Sequence, residues 1–275
     1  MNGVVAYFFK ERYYDVESKW LKKALAIYTL YKCLYWIINF SLLFSENNII
    51  YHNGVKLSWW KDPVFFLFNH PTNTLATVFI AIAILLALYV LLFKKHHRIS
   101  FFILWFLISN INNNVFCTMT GGDVLFQHLL FFCIFLSNNE SKQGAINDLD
   151  IAVHNTGVIA LHVQICLVYF LNGIAKIQDA DWMNGNAISD SLAVHEFSLP
   201  AYYGCKGVFV ATLNYLVIWY QLLFPILVYI KKIKKWYLLT GILQHLFIAF
   251  ILGLPSFGLI MIVAYCIFYV PFKKT

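Results

Sequence analysis

The chain has 275 residues, of which 61% are hydrophobic and only 12% charged. A soluble domain is about a quarter charged, and a chain of this length has too little interior to hide so much apolar surface, so lipid must cover it. The net charge of +7 sits in basic runs beside apolar stretches, which points to a bilayer as the partner and away from nucleic acid.

Residues 1–23 mix polar and aromatic types, with Val4, Val5, Phe8, Phe9, Trp20 and Leu21 interleaved with lysines. That pattern predicts a cytoplasmic interfacial segment and no cleavable signal peptide. Residues 24–275 then read as a single transmembrane domain. A spanning helix needs ~20 mostly apolar residues. In chain order the expected spans are Ala24–Phe44, Thr74–Phe93, Ile99–Cys117, Asp123–Ser137, Val158–Ile177, Val208–Ile230, Trp236–Gly253 and Ser256–Phe272. Asp123–Ser137 is short and is the element that could be re-entrant. Pro255 reads as a tight turn between the last two spans.

Charge tests this count. With eight crossings and the N-terminus inside, the inner segments carry 15 lysines and arginines and the outer segments 4, with Lys32 inside the first span. The positive-inside rule therefore supports an all-α polytopic bundle of about eight spans, N-in and C-in. Six cysteines are scattered singly without a CxxC pair, and no helix carries His or carboxylate pairs at ligand spacing. Neither pattern suggests a metal.

Polar residues within membrane helices are costly and mark candidate sites. The richest stretch runs LHVQICLVYFLNGIAKIQDADWMNG, from Leu161 to Gly185. At helical spacing His162, Cys166, Tyr169, Asn172 or Gly173, and Lys176 share one stripe. Lys176 falls near the outer surface, with His162 ~21 Å deeper at 1.5 Å per residue. In a dry pocket Lys176 could serve as a base; at the interface beside Trp182 it would be a snorkelling lysine. His162 fits a packed core histidine as well as a pocket residue. A second place is TMTGGD, where Gly121 and Gly122 would turn the chain and Asp123 begin the next helix. Asp123 there is either an N-cap or a partner that orients Lys176. The asparagines at 110, 112, 113 and 114 could line a wet outer cavity or end the third helix. The third place is Gln244-His245, in the middle of the seventh span, which requires a partner or a cavity.

Taken together these segments resemble the HTTM family, which includes the vitamin K-dependent γ-glutamyl carboxylases. VYFLNGIAKIQDADWMNGNAI is similar to the family signature, HLFIAFILGLPSFGLIMI to its later helix pair, and GGD with the following apolar helix to its mid-domain element. The likeness runs from about Ala24 onward. It implies a membrane domain that binds reduced vitamin K-like quinone, without a metal, and uses it to carboxylate glutamate. By its place in the motif Lys176 would be the base that deprotonates the quinol. Asp123 would orient it, and His245, Tyr169, Asn172, Gly173, Trp182 and His162 would line the pocket. The carboxylases carry a histidine where this chain has Gly121-Gly122-Asp123. FGLIMI and the Trp-x-x-Gly-x-Ala-Ile pattern of Trp182, Gly185, Ala187 and Ile188 are also similar to the compact bacterial membrane proteins that mature a sporulation-delaying peptide toxin. That likeness implies the alternative of a non-catalytic partner for a secreted peptide or protein, in the bacterial inner membrane.

Overall fold

A computed structural model describes residues 13–44, 65–70, 72–93, 98–137, 148–195 and 198–269, and all regular structure among them is helical. The first twelve residues of the expected interfacial segment lie outside this set. The chain divides into two compact units, Met1–Ile159 with Tyr269–Thr275, and Ala160–Phe268.

In the first unit, α1 spans Asp15–Ile38. It starts well before the expected Ala24, because residues 15–23 continue the same amphipathic stripe. Leu21, Leu25, Tyr28, Thr29, Lys32, Cys33 and Trp36 are buried along it, at 3–4-residue spacing. Asp15 and Glu17 in the first turn favour that end of the helix dipole. Short α2 (Phe40–Phe44) and α3 (Phe66–Asn69) follow, then α4 (Asn73–Leu92), whose first turn is capped by the Thr72 hydroxyl accepting from Leu75 N–H at 3.2 Å. α4 buries Ala76, Ala83 and Ala87. These small side chains let it lie close against α1, which it contacts. Its opposite face is bare leucine: Leu85 is 66% and Leu92 75% exposed, a surface suited to lipid.

α5 (Arg98–Asn114) and α6 (Gly121–Cys133) complete the unit, joined by a 3-10 turn at Phe116–Thr118. The asparagine cluster is largely interior: Asn110, Asn112 and Asn114 are buried, and Asn110 Oδ1 accepts the Leu67 N–H at 3.0 Å, which fixes α3 to α5. The two glycines before Asp123 are the opening residues of α6, not a turn outside it. α6 ends where Lys22 Nζ donates to Leu136 O at 2.8 Å and Arg98 to Phe135 O at 3.0 Å, two cations on the negative end of the helix. Arg98 also pairs with Asp150 at 2.9 Å.

α7 (Asp148–Ile177) has 30 residues, ten more than expected at its N-terminal end. The added turns are polar and held inside the first unit. There, buried His154 accepts the Ser137 N–H on Nδ1 at 3.0 Å, and its Nε2 faces Tyr13 O at 2.9 Å. From Ala160 onward α7 belongs to the second unit, with α8 (Ala180–Met183), α9 (Ala187–Leu192), a 3-10 turn at Pro200–Tyr202, α10 (Val208–Leu227), α11 (Lys234–Phe250), α12 (Pro255–Ala264) and a closing 3-10 turn at Tyr265–Phe268. Pro255 is the first helical residue of α12, where its missing N–H costs nothing, and the bend before it is made by Gly253 at φ +62°. Among the described residues three helices are long and apolar enough to cross a membrane: Asn73–Leu92, Asp148–Ile177 and Val208–Leu227.

Candidate functional site in the second unit

The expected stripe on α7 forms, and its members meet different fates. Tyr169, 1% exposed, faces α11 and the closing 3-10 turn: its hydroxyl lies 2.5 Å from His245 Nε2 and 2.5 Å from the Tyr265 hydroxyl. Tyr265 continues to the Tyr220 hydroxyl at 3.0 Å, and Tyr220 donates to the backbone carbonyl of Tyr237 at 3.2 Å. The Tyr237 hydroxyl returns to the Tyr220 carbonyl. Phe224 stacks on Tyr169 at 4.0 Å and 14° and seals the chain on one side. Four helical segments thus deliver five polar side chains to one dry volume. Buried polar groups persist in an apolar interior when they satisfy each other, and here they do so almost completely.

One atom breaks the pattern. His245 is 2% exposed, and its Nδ1 has no hydrogen-bond partner among the described residues. A buried polar atom left unpaired costs about 1–3 kcal/mol, so its retention calls for an explanation.

The backbone around the cluster is fitted to it. A Cβ on Gly241 would collide with the hydroxyls of Tyr220 and Tyr265, so only glycine lets those groups cross α11. A Cβ on Gly173 would stand 2.9 Å from Leu222 Cδ2, so this residue, expected from the sequence to line a pocket, serves the approach of α10 to α7. Asn172, one position earlier, points away: it is exposed and donates to Val168 O at 2.6 Å. His162 stacks on Tyr229 at 6.0 Å and meets Phe268 edge-on at 4.7 Å, two helical turns below Tyr169.

Lys176 lies two turns beyond Tyr169 on the same helix, half-buried, with Nζ 4.6 Å from the centre of the Trp182 ring. Asp179 adds electrostatic attraction, while its Oδ1 caps α8 by accepting from Asp181 N at 2.9 Å. A lysine over an indole face is held by the ring quadrupole and stays oriented without a carboxylate in direct contact. Trp182 itself packs against a small cluster of Ile188, Leu192 and Val210. Asn214 on α10, fully buried, fixes that segment by accepting from Ile188 N at 3.1 Å and donating to Gly185 O at 2.8 Å.

Asp123 belongs to the first unit and has partners there. Its Oδ1 is 2.6 Å from Lys32 Nζ, and its Oδ2 accepts the Thr120 N–H at 2.9 Å and hydroxyl at 3.0 Å. Lys32 and Asp123 are both buried, and Lys32 also lies over the rings of Tyr35 and Trp36. In the sequence Lys32 stands inside an apolar span. The signal was there: a lysine in an apolar helix requires a counter-charge, and Asp123 is an acid at the start of another apolar helix.

Tyr220, Tyr237 and Tyr265 carry no local mark in the sequence, because a tyrosine in a membrane helix reads as packing or as interface belt. Their number in three apolar stretches that flank His245 is the trace they leave.

No curated protein and no solved structure matches the chain. The family model described as the HTTM domain matches residues 135–272, a stretch that contains Tyr169, Lys176, Trp182, His245 and Tyr265 and leaves out Lys32 and Asp123. With half of its length matched by that model, the chain belongs to the HTTM domain family.

Proposed function

We propose that this HTTM protein is a membrane enzyme that performs acid–base chemistry on a lipid-soluble reduced quinone, at a site in its second unit open toward the extracytoplasmic side. The observation that carries the reading is the placement of Lys176 above Trp182, on the stripe of α7 that two turns deeper holds Tyr169 against His245. Seven residues along a helix return to nearly the same face, ~10 Å further on. A base at the polar end of an aromatic-lined, partly hydrogen-bonded interior suits an aromatic ligand with ionisable hydroxyls. Lys176, as the neutral amine, accepts the quinol proton; Trp182 holds the ammonium that results; Tyr169 and His245 bound the apolar end. Asp123 enters this reading as the counter-charge of Lys32 and not as the partner of Lys176.

The orientation is part of the proposal. Eight crossings with both termini in the cytoplasm leave the basic loops inside and bring Lys176 to the outer surface, in a bacterial cell membrane. The test is turnover of a reduced naphthoquinone by the protein in lipid nanodiscs, followed as oxygen uptake. Lys176→Ala should abolish it while the protein stays folded in the bilayer. Equal turnover in that variant would remove the enzyme reading. A dependence on the 178–206 segment alone would then favour a non-catalytic partner for a secreted peptide.

A further inference from the structure

The hydroxyl chain of the second unit has a direction, and the direction fixes the tautomer of His245. A backbone carbonyl only accepts, so at the Tyr237 carbonyl it is Tyr220 that gives its single proton. Tyr220 therefore accepts from Tyr265 at 3.0 Å, and Tyr265 accepts from Tyr169 at 2.5 Å. With its proton committed to Tyr265, Tyr169 must accept from His245 at 2.5 Å, which puts the imidazole proton on Nε2. Nδ1 is then a bare lone pair, buried and without a partner among the described residues.

We propose that His245 Nδ1 is the ligand-facing acceptor of this site, and that it takes a hydrogen bond from the hydroxyl of a neutral, apolar, phenol-class molecule. An ionic ligand would not enter this apolar, aromatic surround, and an ether or ketone would bring a second acceptor against the first. Of the rings packed on His245, Tyr169 and Tyr265 are locked in the chain, and Phe257, edge-on at 6.3 Å and partly exposed, is the one that no hydrogen bond holds. Tyr169, Tyr265 and Tyr220 act as positioning residues: with the Tyr237 carbonyl as the terminal acceptor, they hold the proton on Nε2 so that the lone pair stays on Nδ1. This deepens the proposed function, resting on its reading of the second unit as a ligand site, but it does not depend on Lys176.

The experiment is nitrogen NMR of the full-length protein in nanodiscs with 15N-labelled histidine, the His245 signals being assigned by their loss in His245→Gln. In the wild type Nε2 should resonate as a protonated nitrogen and Nδ1 as an unprotonated one. Added 1-naphthol should shift the Nδ1 signal, and 1-methoxynaphthalene, which has no O–H, should not. Phe257→Ala should give the same shift at lower naphthol concentration. Tyr265→Phe leaves Tyr169 no acceptor but His245, so the proton moves to Nδ1 and the naphthol shift is lost. Tyr220→Phe, a smaller change at the chain's far end, should do the same. A wild-type Nδ1 that is protonated, a tautomer unchanged in both tyrosine variants, or equal shifts with naphthol and its ether would overturn the proposal. Naphthol shifts that persist when Lys176→Ala has lost turnover would separate this inference from the catalytic one.

Discussion

Replacing Asp123 with Asn should cost about 3–5 kcal/mol of folding stability, the range found when one partner of a buried ion pair is removed. The carboxylate sits 2.6 Å from Lys32 Nζ, with side chains only 5% and 2% exposed. At an effective dielectric of ~20 their gross attraction is about 6 kcal/mol, most of which offsets the desolvation of both charges. Asn is close to the same shape and can still accept from the Thr120 N–H, so the loss reports the charge and not the helix start. What remains is an ammonium with two aromatic faces and no anion. Lys32→Met should be comparably costly, because it strands the carboxylate. The double variant Lys32→Met/Asp123→Asn should recover to within about 1–2 kcal/mol of the wild type, since neither charge is then buried alone. The assay is reversible unfolding in mixed detergent micelles with increasing dodecyl sulfate, read by tryptophan fluorescence. Trp36 lies 5.4 Å from Lys32 Nζ and reports the region directly. Single variants that each cost under about 1 kcal/mol, or costs that simply add in the double variant, would refute the buried-pair account.

Asn214→Ala should destabilise the second unit by about 2–4 kcal/mol, because it strands the Ile188 N–H and Gly185 carbonyl in a buried place, and protease should then cut the 178–206 segment faster. Gly241→Ala should cost about 1–3 kcal/mol by driving a methyl into the Tyr220 and Tyr265 hydroxyls, measured in the same unfolding assay, and no rescue is expected from other α11 substitutions. In intact cells an impermeant maleimide applied from outside should label Cys205, which is partly exposed at a point the proposed topology puts outside; labelling only after lysis would reverse that orientation.

Composition and apolar runs made the membrane class and the helical fold legible, because lipid imposes the same demand along each span. Helix limits were less legible. α1 and α7 extend into polar sequence, at Asp15–Lys23 and Asp148–Gly157, where hydropathy falls but tertiary hydrogen bonds keep the helix wound. Pro255 reads as the bend in the sequence because proline breaks helices, whereas at a first helical position it starts one. In the site, His245 and Tyr169 were visible as costly intramembrane groups, and the structure puts them in hydrogen-bond contact. Their three tyrosine partners were not, since nothing local separates a hydrogen-bonded tyrosine from a packed one. The Lys32–Asp123 pair was hidden for a related reason: each residue had a sufficient local account, one as a tolerated lysine and one as a helix cap.

Whether Lys176 acts as a base on a quinol-type ligand is decided by comparing wild type, Lys176→Ala and Lys176→Arg for oxygen uptake with a reduced naphthoquinone in nanodiscs. Loss of turnover in both variants, with unchanged folding and the naphthol shift at His245 retained, is the predicted result. Arg keeps the cation over Trp182 but holds its proton at every accessible pH, so it separates a base from a structural charge. Full turnover in Lys176→Arg would contradict the account.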